Sequence, residues 1–130
     1  MIKVFVNGTF DILHVGHIQM LNFAKSQGHY LTVGIDCDSR VKNLKGSSRP
    51  INSEIERKFL LENLKSVDNV IIFKDDCELI DLIKNHDIMV KGSDYINQTI
   101  IGESVCKKLI FFDLVNGYST SKKIQDIISR

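Results

Sequence analysis

The sequence has 130 residues, of which 43% are hydrophobic and 25% are charged, and its formal net charge is +1. These values are ordinary for a globular protein, and we expect one domain over residues 1–130 whose core needs no disulfide or structural metal. The sequence has no run of like charges and no apolar segment long enough for a signal peptide or a membrane span, so we expect no nucleic-acid partner, no membrane association and a cytoplasmic location.

Apolar runs typical of strands alternate along the sequence with apolar residues at helical spacing. The predicted strands lie at residues 2–6, 30–35, 70–73, 88–90 and 109–112, with helices near 15–28, after residue 53, around 79–83 and from about 119. Such alternation implies right-handed crossovers between parallel strands. The sequence therefore predicts an α/β fold with a Rossmann-like, doubly wound parallel sheet of about five strands flanked by helices.

Two polar segments follow predicted strands. Residues 36–50 are predicted to be a loop without regular structure, and a loop of this length is often functional. Residues 92–102 are predicted to be a second polar loop. Because ligands of such sheets bind beyond the carboxyl ends of the strands, we expect the functional site at this edge.

The densest signal is the segment at residues 8–17, which follows the first strand. Gly8 permits a tight turn and a close approach of a ligand to the backbone. A helix that begins here would direct backbone N–H groups at an anion. His14 and His17 lie one helical turn apart on one face, and Gly16 leaves space between them. This arrangement favours a phosphate site over a zinc site, because zinc requires further ligands and no cysteine is near in sequence.

Three cysteines, Cys37, Cys77 and Cys106, are far apart and have no metal-binding spacing. We therefore expect reduced thiols and no metal site formed by protein side chains alone.

Residues 8–17 resemble the G-T-F-D-x-x-H-x-G-H signature of the cytidylyltransferase-like nucleotidyltransferases. Further segments look like the adenylyltransferase domain of the enzyme that makes ADP-heptose, and they occur in the same order along nearly the whole chain. These segments are residues 44–46 with Arg49 and Pro50, Glu56 with Arg57, residues 90–95 and residues 117–121. The first motif is specific for the superfamily, whereas the later ones are individually weaker.

The resemblance implies an in-line attack by a substrate phosphate oxygen on the α-phosphate of a nucleoside triphosphate, with pyrophosphate as the leaving group. Such a reaction needs no covalent protein nucleophile, and catalysis consists mainly of positioning and charge stabilisation. Mg²⁺ would accompany the triphosphate and would be held mostly by the nucleotide. Members of the family are often dimers, so a homodimer is a further implication of the resemblance.

The catalytic residues that the resemblance implies are His14, His17 and Lys45, with Lys42 as a weaker candidate in place of Lys45. Solvated loop charges are the alternative for both lysines. Asp11 and Asp36 are candidates for binding hydroxyl groups of the acceptor, although Asp11 could instead brace its own turn.

The implied nucleotide-binding residues lie at several strand ends and helix starts. The backbone of Thr9 and Phe10 would bind the α-phosphate, and Gly92 and Asp94 would lie beside the base and ribose. Arg57 would meet the triphosphate or form a surface ion pair. The segment at residues 119–121 would both cap the last helix and bind phosphate. The full set is Gly8, Thr9, Phe10, His14, Gly16, His17, Arg57, Gly92, Asp94, Ser119, Thr120 and Ser121.

The sequence departs from the glycerol-3-phosphate cytidylyltransferases just before Gly117. Those enzymes carry an arginine and a threonine there, whereas this chain has Leu114, Val115 and Asn116. We therefore expect ATP and a sugar phosphate such as a heptose 1-phosphate, which a separate kinase would supply. CTP with glycerol 3-phosphate is the alternative, and a nucleotide-binding module without catalytic activity is a second one.

Overall fold

A computed structural model describes residues 1–113 and 119–130 of the chain. Its strands are β1 Lys3–Gly8, β2 Tyr30–Asp36, β3 Asn69–Phe73, β4 Ile88–Gly92 and β5 Leu109–Phe112. Its α-helices are α1 Val15–Ser26, α2 Asp38–Lys45, α3 Glu54–Glu62, α4 Asp76–Lys84 and α5 Thr120–Ile128. None of the described helices is long and apolar enough to cross a membrane.

The five strands form one parallel sheet in the order β3-β2-β1-β4-β5. The chain winds outward from β1 in both directions, which is the doubly wound arrangement that the strand–helix alternation predicts. The predicted α/β fold class is therefore confirmed. Because the strand order reverses between β1 and β4, a crevice opens beyond their carboxyl ends.

The two faces of the sheet have separate cores, because successive strand residues point to opposite faces. We call the face covered by α1 and α3 the α1 face, and the face covered by α4 the α4 face. The α1 face contains Val6, Leu21, Ala24, Leu61 and Val90. The α4 face contains Phe5, Leu79, Ile83 and Met89. A residue on β1 or β4 can thus be assigned to one face by its place in the alternation.

Helix α2 lies inside residues 36–50, where the sequence predicted an irregular loop, so that prediction is wrong. The helix buries a single apolar residue, Val41, and therefore has no apolar periodicity to reveal it. Its first turn is held from α3, where Glu54 Oε1 accepts a hydrogen bond from the Asp38 N–H at 2.8 Å. Arg57 Nη2 also donates to Asp38 Oδ1 at 2.8 Å. These partners are far along the chain, which explains why local sequence did not predict the helix.

Candidate active site

A cavity of about 320 Å³ lies beyond the carboxyl ends of β1 and β4, beside the N-termini of α1 and α5. This is the edge at which the sequence predicted the site. Most of the predicted residues line it: Thr9, Phe10, Asp11, His14, Gly16, His17, Lys45, Gly92, Asp94, Ser119, Thr120 and Ser121. Gly8, Asp36 and Arg57 are the predicted residues that do not. Residues 114–118, which include part of the last motif, lie outside the described residues.

The two histidines form the N-terminal cap of α1. The His14 N–H donates to His17 Nδ1 at 3.2 Å, and the Gly16 N–H donates to His14 Nδ1 at 3.1 Å. The rings are stacked with their centroids 3.8 Å apart. The His17 ring also packs against Phe10, whose backbone has a φ of 52°, a conformation uncommon outside glycine. The local hydrogen bonds therefore fix both rings at the wall of the cavity.

The surroundings of both imidazoles favour the neutral form. Burial, followed by the charges of His14 and Lys45, lowers the pKa of His17 to about 4. Burial and then the charge of Lys123 lower the pKa of His14. Because Nδ1 of each ring accepts a backbone hydrogen bond, each neutral ring carries its proton on Nε2. Each histidine is thus a neutral donor through Nε2–H, which can bind a phosphate oxygen.

The N-terminus of α5 also borders the cavity. Ser119 Oγ accepts a hydrogen bond from the Lys122 N–H at 3.0 Å and caps the helix, as the sequence predicted. Thr120 Oγ1 donates to the Ile12 carbonyl at 2.9 Å, which ties this helix to the segment that follows β1. Two helix N-termini therefore meet at one cavity, and their partial positive charges favour an anion between them.

Lys45 is the last residue of α2 and reaches the cavity from there, whereas Lys42 does not line it. Its side chain is solvent-exposed as a whole, but desolvation and then the charge of Arg49 lower the pKa of its amino group. Arg49 Nη2 donates to Ser121 Oγ at 3.1 Å, so the segment after α2 bridges to α5. Of the two candidate lysines, Lys45 lines the cavity and Lys42 does not, so the phosphate-binding role stays a prediction for Lys45.

Arg57 does not reach the cavity, which corrects its assignment as a triphosphate ligand. It is 0% exposed. Its Nη1 donates to the carbonyls of Thr9 and Asp36 at 3.0 and 2.8 Å, and its Nε donates to the Asn52 carbonyl at 3.1 Å. Together with the bond to Asp38, these contacts fasten the ends of β1 and β2 to α2 and α3. Arg57 thus supports the strand ends that carry the site without lining the cavity. Because the side chain is fully buried, the alternative of a surface ion pair is also wrong.

The two aspartates assigned to the acceptor have structural partners. Asp11 is 1% exposed, and its carboxylate accepts hydrogen bonds from the N–H groups of Ile51 and Asn52, each at 2.8 Å. It braces the segment before α3 rather than its own turn, while still lining the cavity. Asp36 accepts from Arg40 Nε at 2.8 Å and from Thr9 Oγ1 at 3.2 Å, and it does not line the cavity. The acceptor role stays a prediction for Asp11 and has little support for Asp36.

Gly8 has a packing role at the end of β1. A Cβ atom at this position would lie 3.0 Å from the ring of Phe10, which is tighter than most Cβ contacts in proteins, so the ring would have to shift. The glycine therefore permits the Phe10 ring to fold back beside His17, and it lies behind the cavity rather than in its wall.

Sequence reasoning missed Asn7, Lys91 and Tyr95, all of which line the cavity. Lys91 is within a segment that the resemblance singled out, but only Gly92 and Asp94 were assigned from it. The signal that could have found Lys91 is its place directly after the predicted strand at residues 88–90, at the edge where ligands bind.

Among the described residues, no group of three or more His, Cys, Asp and Glu side chains is arranged to hold a metal ion. The imidazoles, hydroxyls and ammonium groups that line the cavity suit phosphate. Its carboxylates, within the part of the chain that the structure describes, are those of Asp11, which already accepts two backbone hydrogen bonds, and Asp94. All three cysteines are free thiols.

Residues 5–126 match the family model described as Cytidylyltransferase-like. The chain is 47% identical over 126 residues to the bifunctional protein HldE of Aliarcobacter butzleri, covering 95% of this chain and 26% of that protein. It is 49% identical to the bifunctional protein HldE of Sulfurimonas denitrificans, covering 95% and 26%. The chain thus spans about a quarter of the length of these curated relatives.

Two solved structures share the fold. The lipopolysaccharide core biosynthesis protein of Thermoplasma volcanium superposes with a TM-score of 0.74 at 31% identity, covering 89% of this chain and 99% of that one. The bifunctional NMN adenylyltransferase/ADP ribose pyrophosphatase of Francisella tularensis, complexed with AMP and a manganese ion, superposes with a TM-score of 0.66, covering 99% and 42%. At 18% identity, the second likeness shows the fold alone.

Proposed function

The chain belongs to the cytidylyltransferase-like family, and from this premise we propose that it transfers AMP from ATP to a sugar phosphate such as a heptose 1-phosphate and releases pyrophosphate. The observation that carries the proposal is the stacked pair of neutral histidines between two helix N-termini. Both histidines and two helix N-termini border one cavity, and this concentration of hydrogen-bond donors and partial positive charge supports binding of a triphosphate there.

The proposed reaction is a single displacement at the α-phosphorus. An oxygen of the acceptor phosphate forms a new P–O bond, and the bond to the bridging oxygen of the β-phosphate breaks. The electron pair of that bond leaves with pyrophosphate. His14 and His17 donate hydrogen bonds to the charge that develops on the phosphate oxygens, and Lys45 adds a positive charge from the rim. Mg²⁺ carried with the nucleotide would neutralise part of the phosphate charge.

The choice of ATP and a sugar phosphate is supported by the relatives. Two of them are bifunctional HldE proteins at 47 and 49% identity, and a structural relative at 31% identity is a lipopolysaccharide core biosynthesis protein. The segments at residues 44–50 and 90–95 look like the adenylyltransferase domain of the ADP-heptose enzyme rather than the glycerol-phosphate enzymes.

Initial rates of pyrophosphate release test the proposal. ATP and CTP are each paired with heptose 1-phosphate and with glycerol 3-phosphate, in the presence of Mg²⁺. We expect the ATP and heptose 1-phosphate pair to give the highest kcat/KM. A preference for CTP with glycerol 3-phosphate would replace this assignment with the alternative. Nucleotide binding without pyrophosphate release from any pair would indicate a module without catalytic activity.

A further inference from the structure

Lys91 is a buried cation in the wall of the cavity that the reaction described above does not use. It is the residue before the end of β4, and its side chain is 9% exposed. Its Nζ lies 4.7 Å from the centroid of the Tyr95 ring, a cation–π distance. Among residues 1–113 and 119–130, no carboxylate oxygen lies within 4.0 Å of this ammonium group. Burial of this ammonium group therefore costs desolvation free energy, which a bound anion would offset.

Asn7 lies on the same face of the sheet as Lys91. Phe5 on β1 pairs in register with Met89 on β4, and both belong to the core of the α4 face. Asn7 and Lys91 each follow two residues later, so both belong to that face as well. Asn7 Oδ1 is the one buried side-chain oxygen or nitrogen of the described residues without a hydrogen-bond partner. A cation and an oxygen that lacks a donor thus share the α4 face of the cavity.

The charges on this face suit one phosphate with hydroxyl groups rather than a chain of three phosphates. Burial lowers the pKa of Lys91 to about 8, although the charges of Asp36 and Asp94 act in the opposite direction. Two carboxylates near one ammonium group would repel a triphosphate, whereas a single phosphate monoester can be balanced by Lys91. The Asn7 oxygen can accept a hydrogen bond from a hydroxyl group, which a sugar supplies.

In-line displacement at the α-phosphorus also places the nucleotide and the acceptor on different faces of the cavity. Attacking and leaving oxygens lie roughly in line on opposite sides of the phosphorus. His14 and His17 cap α1, so the pyrophosphate end of the nucleotide belongs on the α1 face. The attacking phosphate must then approach from the α4 face, where Lys91 and Asn7 lie.

We infer that Lys91 binds the phosphate of the acceptor, and that Asn7 accepts a hydrogen bond from one of its hydroxyl groups. This inference rests on the proposed function for the direction of attack. Lys91 neutralises one acceptor oxygen while another attacks, and the Tyr95 ring holds the ammonium group in place. Lys91 and Asn7 together select acceptors that carry both a phosphate group and a nearby hydroxyl group.

Steady-state kinetics of Lys91→Met, Lys91→Arg and the control Lys84→Met test the inference. Lys84 is an exposed lysine in the last turn of α4, away from the cavity. Loss of a charge-assisted hydrogen bond is expected to raise the KM for heptose 1-phosphate about tenfold or more in Lys91→Met. The KM for ATP should stay within about twofold. Lys91→Arg should recover most of the acceptor affinity, and Lys84→Met should behave as the unchanged protein.

An equal rise in the KM values for ATP and acceptor in Lys91→Met would overturn the inference, as would an unchanged KM for the acceptor. A failure of the unchanged protein to use heptose 1-phosphate is a failure of the proposed function instead. These two failures are distinguished by a measurement that needs no turnover.

Acetylation of Lys91 by an amine-reactive reagent, followed by mass spectrometry, supplies that measurement. The rate is compared with no addition, with ATP, and with a panel of heptose 1-phosphate, mannose 1-phosphate and glycerol 3-phosphate. The corresponding unphosphorylated compounds serve as controls. Protection by a phosphorylated compound that exceeds the protection given by ATP and by its unphosphorylated form supports the inference. Protection by ATP that is as strong, or no protection by the panel, would overturn it.

Discussion

The α1 face and the α4 face of the cavity are built by different means. On the α1 face, His14 and His17 are fixed by hydrogen bonds to groups two and three residues away. On the α4 face, Asn7, Lys91 and Tyr95 come from β1, from β4 and from the turn after β4. The two histidines are positioned by the start of α1 itself. Asn7 and Lys91 come together only when β4 pairs with β1. The difference indicates a local, rigid phosphate cap opposite a subsite that depends on the assembled sheet.

The part of the site that could be predicted from sequence follows the same division. Residues 8–17 contain their own turn, cap and helix start, and most residues predicted from them line the cavity. Arg57 was assigned to phosphate because its partners Thr9 and Asp36 are 48 and 21 residues away, and local sequence does not show them. The hydrogen bonds to these residues keep its side chain buried and away from the cavity. Lys91 was missed because its neighbour Asn7 is placed by strand order, which no local pattern displays.

Arg57→Met is expected to have the largest effect, because it removes a support that both faces share. Its loss leaves the carbonyls of Thr9, Asp36 and Asn52 without their donor, and Asp38 without its ion-pair partner. We expect the free energy of unfolding to fall by about 3–5 kcal/mol, because each buried carbonyl that loses its donor costs about 1–3 kcal/mol, while Asp38 is 33% exposed and adds less. Urea unfolding monitored by circular dichroism measures it.

Arg40→Met is the matched control, since Arg40 pairs with Asp36 and Asp76 but keeps some solvent exposure. Its loss of stability should be clearly smaller. If Arg57→Met unfolded like the unchanged protein and lost only affinity for ATP, Arg57 would be a nucleotide ligand after all, and the two faces would not share a support.

His17→Asn tests the α1 face alone. The asparagine oxygen can still accept the hydrogen bond from the His14 N–H, but the variant lacks the Nε2–H donor. We expect kcat to fall by a factor that corresponds to about 2–4 kcal/mol, as for other preorganised donors, with little change in melting temperature. The KM for the acceptor should stay close to that of the unchanged protein. Normal turnover in this variant would remove His17 from the catalytic set.

The pH dependence of stability sharpens the description of the α1 face. The pKa of His17 is about 4 in the folded protein and 6.5 in the reference state, so the unfolded chain binds more protons between these values. Stability should therefore rise with pH through this window and be fully present above pH 6.5. His17→Gln should flatten the dependence, and NMR titration of the His17 ring should give a midpoint near 4. An unperturbed midpoint would mean that the ring is solvated and not part of a desolvated cap.

Asn7→Leu is expected to have the smallest effect on stability. Unlike Arg57→Met, it should raise the free energy of unfolding rather than lower it. Leucine has nearly the shape of asparagine and removes a buried oxygen that has no partner among the described residues. Removing such an oxygen is expected to raise the free energy of unfolding by about 1 kcal/mol, while the KM for the acceptor rises severalfold.

Asn85→Leu is the control, because Asn85 Nδ2 does donate to the Asp81 carbonyl at 2.9 Å, and its loss should lower stability slightly. A gain in stability together with weaker acceptor binding would show that the α4 face retains an unpaired group for its ligand. Loss of stability in Asn7→Leu would instead mean that Asn7 supports the sheet, and Lys91 would then be left without a partner in acceptor recognition.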